Sequence, residues 1–244
     1  MPVASSLLKT TKSRLSQLEF HFTGGQQMAR ILVGVTGSVA AIKTTQMIEA
    51  LGGKGYELRM VLTKSADFFL PEWNSVRPSD RVGVFRDSDE WPAKGWKRGD
   101  DVVHIELRRW ADALVIAPLD AHTLAKWANG LADNLLTSLV RAWDYQKPLI
   151  VAPAMNTMMW ESPITRRQLA QILSDRQNHF LPSGSIPTIE SLVNSYQCFH
   201  EPIRIVPPVE KTLACGDTGS GGMAEIGSIV NAVTSLVMPN LAME

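Results

Sequence analysis

Three stretches of the chain hold side chains whose types and spacing could do chemistry. ACGDTGSGGMAE (214–225) sets one thiol, Cys215, among glycines at 216, 219, 221 and 222. Glycine interiors destabilise helices and strands, so the stretch reads as a mobile loop carrying a thiol. PAMNTMMW (153–160) puts Asn156 just past an apolar run. A carboxamide both donates and accepts hydrogen bonds. Methionine-rich segments are usually core filler. Asn156 between Met155 and Met158–Met159, bounded by Pro153 and Trp160, makes an odd core strand and reads as a strand end turned over a ligand. DVVHIELRRWAD (101–112) holds His104, with Arg109 five residues on. Both have ordinary structural readings, as a satisfied histidine and an ion-paired arginine. Functionally, the imidazole could serve as acid or base at neutral pH, and the guanidinium could hold a phosphate or carboxylate.

Three weaker stretches join strands to helices. TGSVAA (36–41) has Gly37 for a tight turn and Ser38 as a good N-cap. Free amides there suit a phosphate, and a simple capped turn suits the same residues equally well. TKSA (63–66) offers further hydroxyls, although by itself it is an ordinary N-cap. APLDAHT (117–123) brings hydroxyl, carboxylate and imidazole groups to another strand end. Three polar strand ends in one sheet suggest a mononucleotide-sized ligand.

These groups need elements to position them. ILVGVTG (31–37), YELRMVLT (56–63), ALVIAPL (113–119) and KPLIVAPAM (147–155) read as strands. Helical spacing runs over 38–51, 64–70, about 121–128, 133–143, Pro163 to about Leu173, and 226–237. Residues 71–103 look like a long connection in which Trp73, Trp91 and Trp96 pack locally. Residues 174–205 break the rhythm and read as an inserted loop, with one helical turn at 188–194. Strands alternating with helices predict a single α/β domain built on a doubly wound parallel sheet. Ligands on such sheets bind beyond the carboxyl ends of the strands, where every motif above falls.

The bulk composition excludes several classes. The 244-residue chain has zero formal net charge and 45% hydrophobic residues, so no basic field argues for nucleic acid or an anionic membrane. No apolar run approaches the ~20 residues of a membrane span. Cys198 and Cys215 lack CxxC spacing, which suggests neither a disulfide framework nor a metal site. A reducing, cytoplasmic setting is the simplest reading. Residues 1–29 carry a single acid, Glu19, and are rich in Ser, Thr and Gln. They read as a disordered leader, and their composition also matches a transit peptide, which leaves organellar targeting open. Residues 30–238 are expected to form the domain, with 239–244 as a tail.

In combination the motifs resemble a known family. PAMNTMMW fits a P-x-M-N-x-x-M-W signature, ACGDTGSGGMAE a cysteine loop ending in G-x-M-A-E, and HIELRRWAD a histidine segment. With GSVAAIK and DNLLTSLVRAWD, they resemble the phosphopantothenoylcysteine decarboxylases of the eukaryotic, free-standing type, among the homo-oligomeric flavin-containing cysteine decarboxylases. The resemblance covers about 30–173 and 206–237. It implies a flavodoxin-like sheet, bound FMN and a homotrimer with sites between subunits. By resemblance, Gly37, Ser38 and Val39 lie on the FMN phosphate. Thr63, Lys64, Ser65, Asp120, Ala121, His122, Thr123 and Ala154 approach the flavin. His104 is the essential histidine and Cys215 the cysteine of the reductive step. Asn156 and Met159 contact the substrate carboxylate, and Arg109 matches an arginine important for activity. The chain departs from the pattern at His122, where Asn is usual, and in the length of 174–205.

The implied reaction converts 4′-phosphopantothenoylcysteine to 4′-phosphopantetheine in coenzyme A biosynthesis. A saturated cysteine offers no electron sink for decarboxylation. Oxidation at the C–S carbon by FMN gives a thioaldehyde, loss of CO2 then gives an ene-thiol, and reduction returns the electrons. On this reading Cys215 donates a proton from a lid that keeps water out. Two alternatives stand beside it. A peptidyl-cysteine oxidative decarboxylase would stop at the ene-thiol, and a non-enzymatic regulatory subunit of type-1 phosphatase would show no turnover.

Overall fold

The computed structural model describes residues 29–78, 80, 82–177, 187–198, 202–212 and 218–241. Residues 1–28, including nearly all of the expected leader, lie outside them, as does Cys215.

Six parallel strands form the central sheet in the order β3-β2-β1-β4-β5-β6. They are β1 (Arg30–Val35), β2 (Glu57–Leu62), β3 (Gly83–Phe85), β4 (Ala113–Leu119), β5 (Leu149–Pro153) and β6 (Ile203–Ile205). The chain winds outward from β1 in one direction and from β4 in the other. This is the doubly wound, flavodoxin-like α/β architecture expected from the sequence. Its central strands are continuous apolar runs because helices cover both faces. Along β1, Ile31, Val33 and Val35 face α1 (Thr44–Gly52) and α10 (Ile226–Leu241). Leu32 faces the other layer, which includes α4 (Val103–Trp110), α6 (Leu135–Arg141) and α8 (Pro163–Gln177).

Several expectations are corrected. The helix expected over 38–51 begins as a 3-10 turn, Val39–Lys43, before α1, since tight i→i+3 bonding is common at helix starts. KSADFFL is helical over α2 (Lys64–Asp67). The connection at 71–103 contains the edge strand β3 and the short α3 (Asp87–Glu90). Trp73 is buried and donates Nε1–H to the Thr45 hydroxyl at 3.0 Å. Trp91 and Trp96 are 53% and 64% exposed, so they do not form the local packing cluster expected. The supposed insertion at 174–205 holds the end of α8, the ten-residue α9 (Ile189–Cys198) and β6. Helix α9 belongs to the core: Leu192, Val193 and Tyr196 are buried, and the Tyr196 hydroxyl donates to the Leu169 carbonyl.

A charged latch closes the amino-terminal end of β1. Asp112 Oδ2 accepts from the Arg30 backbone N–H at 2.8 Å, and Asp112 Oδ1 accepts from the guanidinium at 2.8 Å. Burial disfavours ionisation of Asp112, but the hydrogen bonds from Arg30 outweigh it and hold its carboxyl below the ordinary value. A carboxyl depressed by folding stabilises the native state above its unfolded pKa of ~3.9 and loses that contribution as pH falls through its folded value. The stability gap between the native chain and Asp112→Asn is therefore expected to be full near neutrality and to shrink in acid. Urea midpoints measured across that range check it, and a gap independent of pH would contradict the latch.

Candidate functional site

A cleft of about 590 Å3 opens beyond the carboxyl ends of β1, β4 and β5. It sits at the switch point between β1 and β4, where a doubly wound sheet leaves room for a ligand. The buried Thr36 hydroxyl ties the two strand ends together. It donates to the Pro118 carbonyl and accepts from the Asp120 N–H, both at 2.8 Å. The next residue, Gly37, packs against Ser65, and a Cβ there would run into the serine side chain. Ser38 has extended backbone angles, and its Oγ accepts from the Ala40 N–H at 3.3 Å, which starts the 3-10 turn.

Across the switch point, α5 (Ala121–Ala128) begins with Asp120 as its cap, accepting from the Thr123 N–H at 2.7 Å. After β5, Asn156 caps the short α7 (Thr157–Trp160) by accepting from the Met158 N–H at 2.8 Å. That bond commits Oδ1 and makes the NH2 group the donating end of the carboxamide. Asn156 and Met159 both line the cleft.

The glycine-rich stretch is not the simple loop expected. Val209–Thr212 (β7) and Thr218–Gly222 (β8) pair as an antiparallel hairpin. Its glycines have a packing reason, because glycine in a strand marks close backbone approach. A Cβ on Gly221 would collide with the Met155 carbonyl, and the Gly221 carbonyl accepts from the Met155 N–H at 2.9 Å. The hairpin thus docks on the segment that presents Asn156, and Gly221 and Gly222 form part of the cleft wall. Cys215 lies in sequence between the two hairpin strands.

Of the expected site residues, Gly37, Ser38, Val39, Asp120, Ala121, His122, Ala154, Asn156 and Met159 meet at this cleft. Four others do not line it. Thr63 is buried as the cap of α2, accepting from the Ala66 N–H at 3.3 Å. Lys64 is exposed, Ser65 abuts Gly37, and Thr123 is buried behind the Asp120 cap. His104 and Arg109 lie on α4, also outside the cleft lining. Arg109 is exposed and pairs with Glu106 at 2.8 Å. His104 is held by a residue the sequence did not single out. Glu90 Oε1 lies 2.7 Å from His104 Nδ1, and Glu90 Oε2 accepts from the His104 backbone N–H at 2.9 Å. The Glu90 side chain is only 6% exposed. Lys43 and Lys211 line the cleft and were likewise missed: Lys43 ends the quoted GSVAAIK stretch but was given no role there, and Lys211 lies outside the quoted motifs.

The lining fits FMN in kind. Val39, Ile42, Ala121, Ala154 and Met223 supply apolar surface for a flat ring system, while Ser38, His122 and Asn156 supply a few polar groups. The Gly37 turn brings backbone close to where a phosphate tail can sit. Among the described residues, no cluster of three or more His, Cys, Asp or Glu side chains could hold a metal, and no helix is long and apolar enough to cross a membrane.

The comparisons agree with this geometry. The family model described as Flavoprotein matches residues 23–238. A phosphopantothenoylcysteine decarboxylase of Arabidopsis thaliana is 44% identical over 205 residues, covering 84% of this chain and 83% of that protein. A solved PPC decarboxylase mutant with serine in place of cysteine, complexed with pantothenoylaminoethenethiol, aligns with a TM-score of 0.67 at 42% identity. That alignment covers 86% of this chain and 98% of the other. A solved FMN-binding protein aligns with a TM-score of 0.66 at 42% identity, covering 87% and 98% of the two chains. Sequence and fold are thus shared along most of the chain with phosphopantothenoylcysteine decarboxylases and an FMN-binding protein, and the chain belongs to the flavoprotein family, among its phosphopantothenoylcysteine decarboxylases.

Proposed function

We propose that the protein decarboxylates 4′-phosphopantothenoylcysteine to 4′-phosphopantetheine with FMN as its cofactor. The observation that carries this reading is the docking of the glycine hairpin on the Asn156 segment, which joins two motifs distant in sequence at one flavin-sized cleft. The test is purification, chromatography of heat-released flavin and assay of CO2 from phosphopantothenoylcysteine. Release of FMN and of CO2 is expected. Recovered FAD, or no CO2, would sink the assignment. Product mass separates a reduced thiol from the ene-thiol at which a peptidyl-cysteine oxidative decarboxylase stops.

Gly37, Ser38 and Val39 are the residues that would hold the FMN phosphate, with Asp120, Ala121, His122 and Ala154 along the flavin. Bound FMN supplies the reversible two-electron acceptance that a saturated cysteine lacks, so the overall reaction is redox-neutral. The Asn156 NH2 donates to the substrate carboxylate and orients it, which is catalysis by positioning. Met159 covers the same position with apolar surface. In this reading the Cys215 thiol, which lies in sequence between β7 and β8, gives the proton needed at the substrate carbon in the reductive half.

His104 acts in this reading across a subunit boundary, because α4 lies outside the cleft of its own chain. A homotrimer would deliver it, and Arg109 with it, to a neighbour's site. Apolar side chains left in solvent on the single chain, including Phe68 at 82% exposure, are compatible with burial between subunits. Mixing His104→Ala with Asn156→Asp subunits is expected to restore activity in some mixed sites. A fully active monomer would overturn the arrangement. We place the activity in the cytoplasm, where both cysteines stay reduced; imaging of a fluorescent fusion checks this.

Glu90 positions His104. With a carboxylate on Nδ1, the ring is held in the tautomer that leaves Nε2 for the substrate. Glu90→Gln is expected to lower kcat by roughly ten- to hundredfold with little change in KM, by analogy with other residues that orient a functional histidine. It should also reshape the pH profile, and Glu90→Asp should restore part of the rate. A kcat loss with an unchanged pH profile would reduce Glu90 to a purely structural contact.

A further inference from the structure

Methionines edge the cleft. Met155, Met159 and Met223 line it, and Met158 stands on the same short helix as Met159. Their exposure divides them. Met155 and Met223 are 9% and 1% exposed, whereas Met158 and Met159 are 76% and 54% exposed. Among the described residues, Met159 alone of the methionines both lines the cleft and stands open to solvent. Its backbone is firmly held. The Met159 carbonyl accepts from the Thr165 hydroxyl at 2.6 Å, the Trp160 N–H donates to the Asn156 carbonyl at 3.0 Å, and the Trp160 side chain is buried. A change confined to the Met159 side chain therefore leaves α7 in place. Met159 follows Asn156 by three residues, the spacing that puts two side chains on one face of a helical turn, whereas Met158 at a spacing of two does not share that face.

We propose that Met159 is an oxidation site through which peroxide shuts the carboxylate end of the cleft. The proposal rests on the decarboxylase reading and adds a reversible redox control to it. One peroxide oxygen bonds to the thioether sulfur as the O–O bond breaks. The sulfur loses two electrons, and the second oxygen leaves as water. The product is methionine sulfoxide, polar where the thioether was apolar. Its oxygen is a hydrogen-bond acceptor on the same face as the Asn156 carboxamide, so it competes with the substrate carboxylate for the NH2 group. It also sets partial negative charge beside the position that carboxylate takes. The proposed cofactor makes peroxide at this same cleft, because reduced flavin that hands two electrons to oxygen gives hydrogen peroxide. Met155 and Met223 are shielded by burial. Met158 is open to oxidation, but its side chain stands off the Asn156 face, so its sulfoxide leaves turnover unchanged.

The test treats FMN-loaded protein with hydrogen peroxide, removes the oxidant with catalase and returns cysteine disulfides and sulfenic acids to thiols with dithiothreitol. Peptide mass mapping is expected to show about 16 added mass units, one oxygen, at Met158 and at Met159, and none at Met155 or Met223. As the Met159 sulfoxide accumulates, kcat/KM for phosphopantothenoylcysteine is expected to fall about tenfold or more, the scale of one diverted hydrogen bond to a charged group. Methionine sulfoxide reductases are expected to restore both mass and rate. Met158→Leu should lose rate as the native protein does, and Met159→Leu should keep most of its own starting rate. Equal fractional loss in Met159→Leu would move the sensitivity to another residue and overturn the proposal. So would a Met159 that peroxide leaves untouched, full rate with Met159 oxidised, or lost rate after the reductases have restored the Met159 mass. In a protein that releases no CO2 before treatment, calorimetry with phosphopantothenoylcysteine replaces the rate. Weaker binding after oxidation would then uphold the site and defeat the reaction, and unchanged binding would overturn both.

Discussion

Asn156→Asp is expected to abolish decarboxylation, with kcat down about a thousandfold or more, on the scale of losing one well-placed polar contact at a reacting centre. The substitution is informative because it should leave the local fold intact. Aspartate is as good an N-cap as asparagine, so the bond from the Met158 N–H and the short helix α7 are retained. What changes is charge. A carboxylate now faces the substrate carboxylate across a cleft walled by Ala154, Met159 and Met223. Like charges a few ångströms apart cost several kcal/mol where water is partly excluded. FMN should remain bound, because the turn at Ser38 and the start of α5 are untouched. Single-turnover CO2 release and the flavin absorption spectrum read the two effects separately. Near-normal turnover would remove Asn156 from the carboxylate site.

Cys215→Ser is expected to divide the reaction. Serine keeps the size and hydrogen bonding of the thiol but is a far weaker acid than a cysteine with its pKa of ~8.5. Oxidation and loss of CO2 do not need this proton, so they should proceed. Return of electrons to the substrate does need it and should stall. Under anaerobic conditions the variant should lose its flavin colour once and release about one CO2 per site. It should accumulate a species about two mass units lighter than 4′-phosphopantetheine, as two-step chemistry requires. Mass spectrometry of the quenched reaction decides it. Normal product formation would give the proton to another group and leave the hairpin as a cover for the cleft.

The sequence by itself determined the four inner strands of the central sheet and the order of the motifs along it. Strands β1, β4 and β5 were legible as apolar runs, because strands buried on both faces are apolar, and β2 by its alternation; both signals are local. The short strands β3 and β6 were not, because three residues at a sheet edge carry too little periodicity to be seen within polar surroundings. Helix α9 was legible only as one turn at 188–194 among Pro- and Ser-rich residues, and its full length and place in the core became clear only from its buried Leu192, Val193 and Tyr196.

At the site, residue types were legible and their company was not. Asn156 and Ser38 announce themselves by chemistry at strand ends. The glycines at 219, 221 and 222 suggested looseness, yet Gly221 serves close docking, since only the tertiary fold shows the Met155 backbone against it. Glu90 looked like one acid among several in a polar connection. The fold buries it and gives both its oxygens to His104. Lys43 and Lys211 are far apart in sequence, and only the fold brings both to the lining of one cleft. The separation of His104 from the cleft of its own chain also emerged only in three dimensions. A sequence records what each side chain can do and the local pattern that sets strand or helix. Which groups share a cavity depends on long-range packing, and the tertiary structure alone decided that.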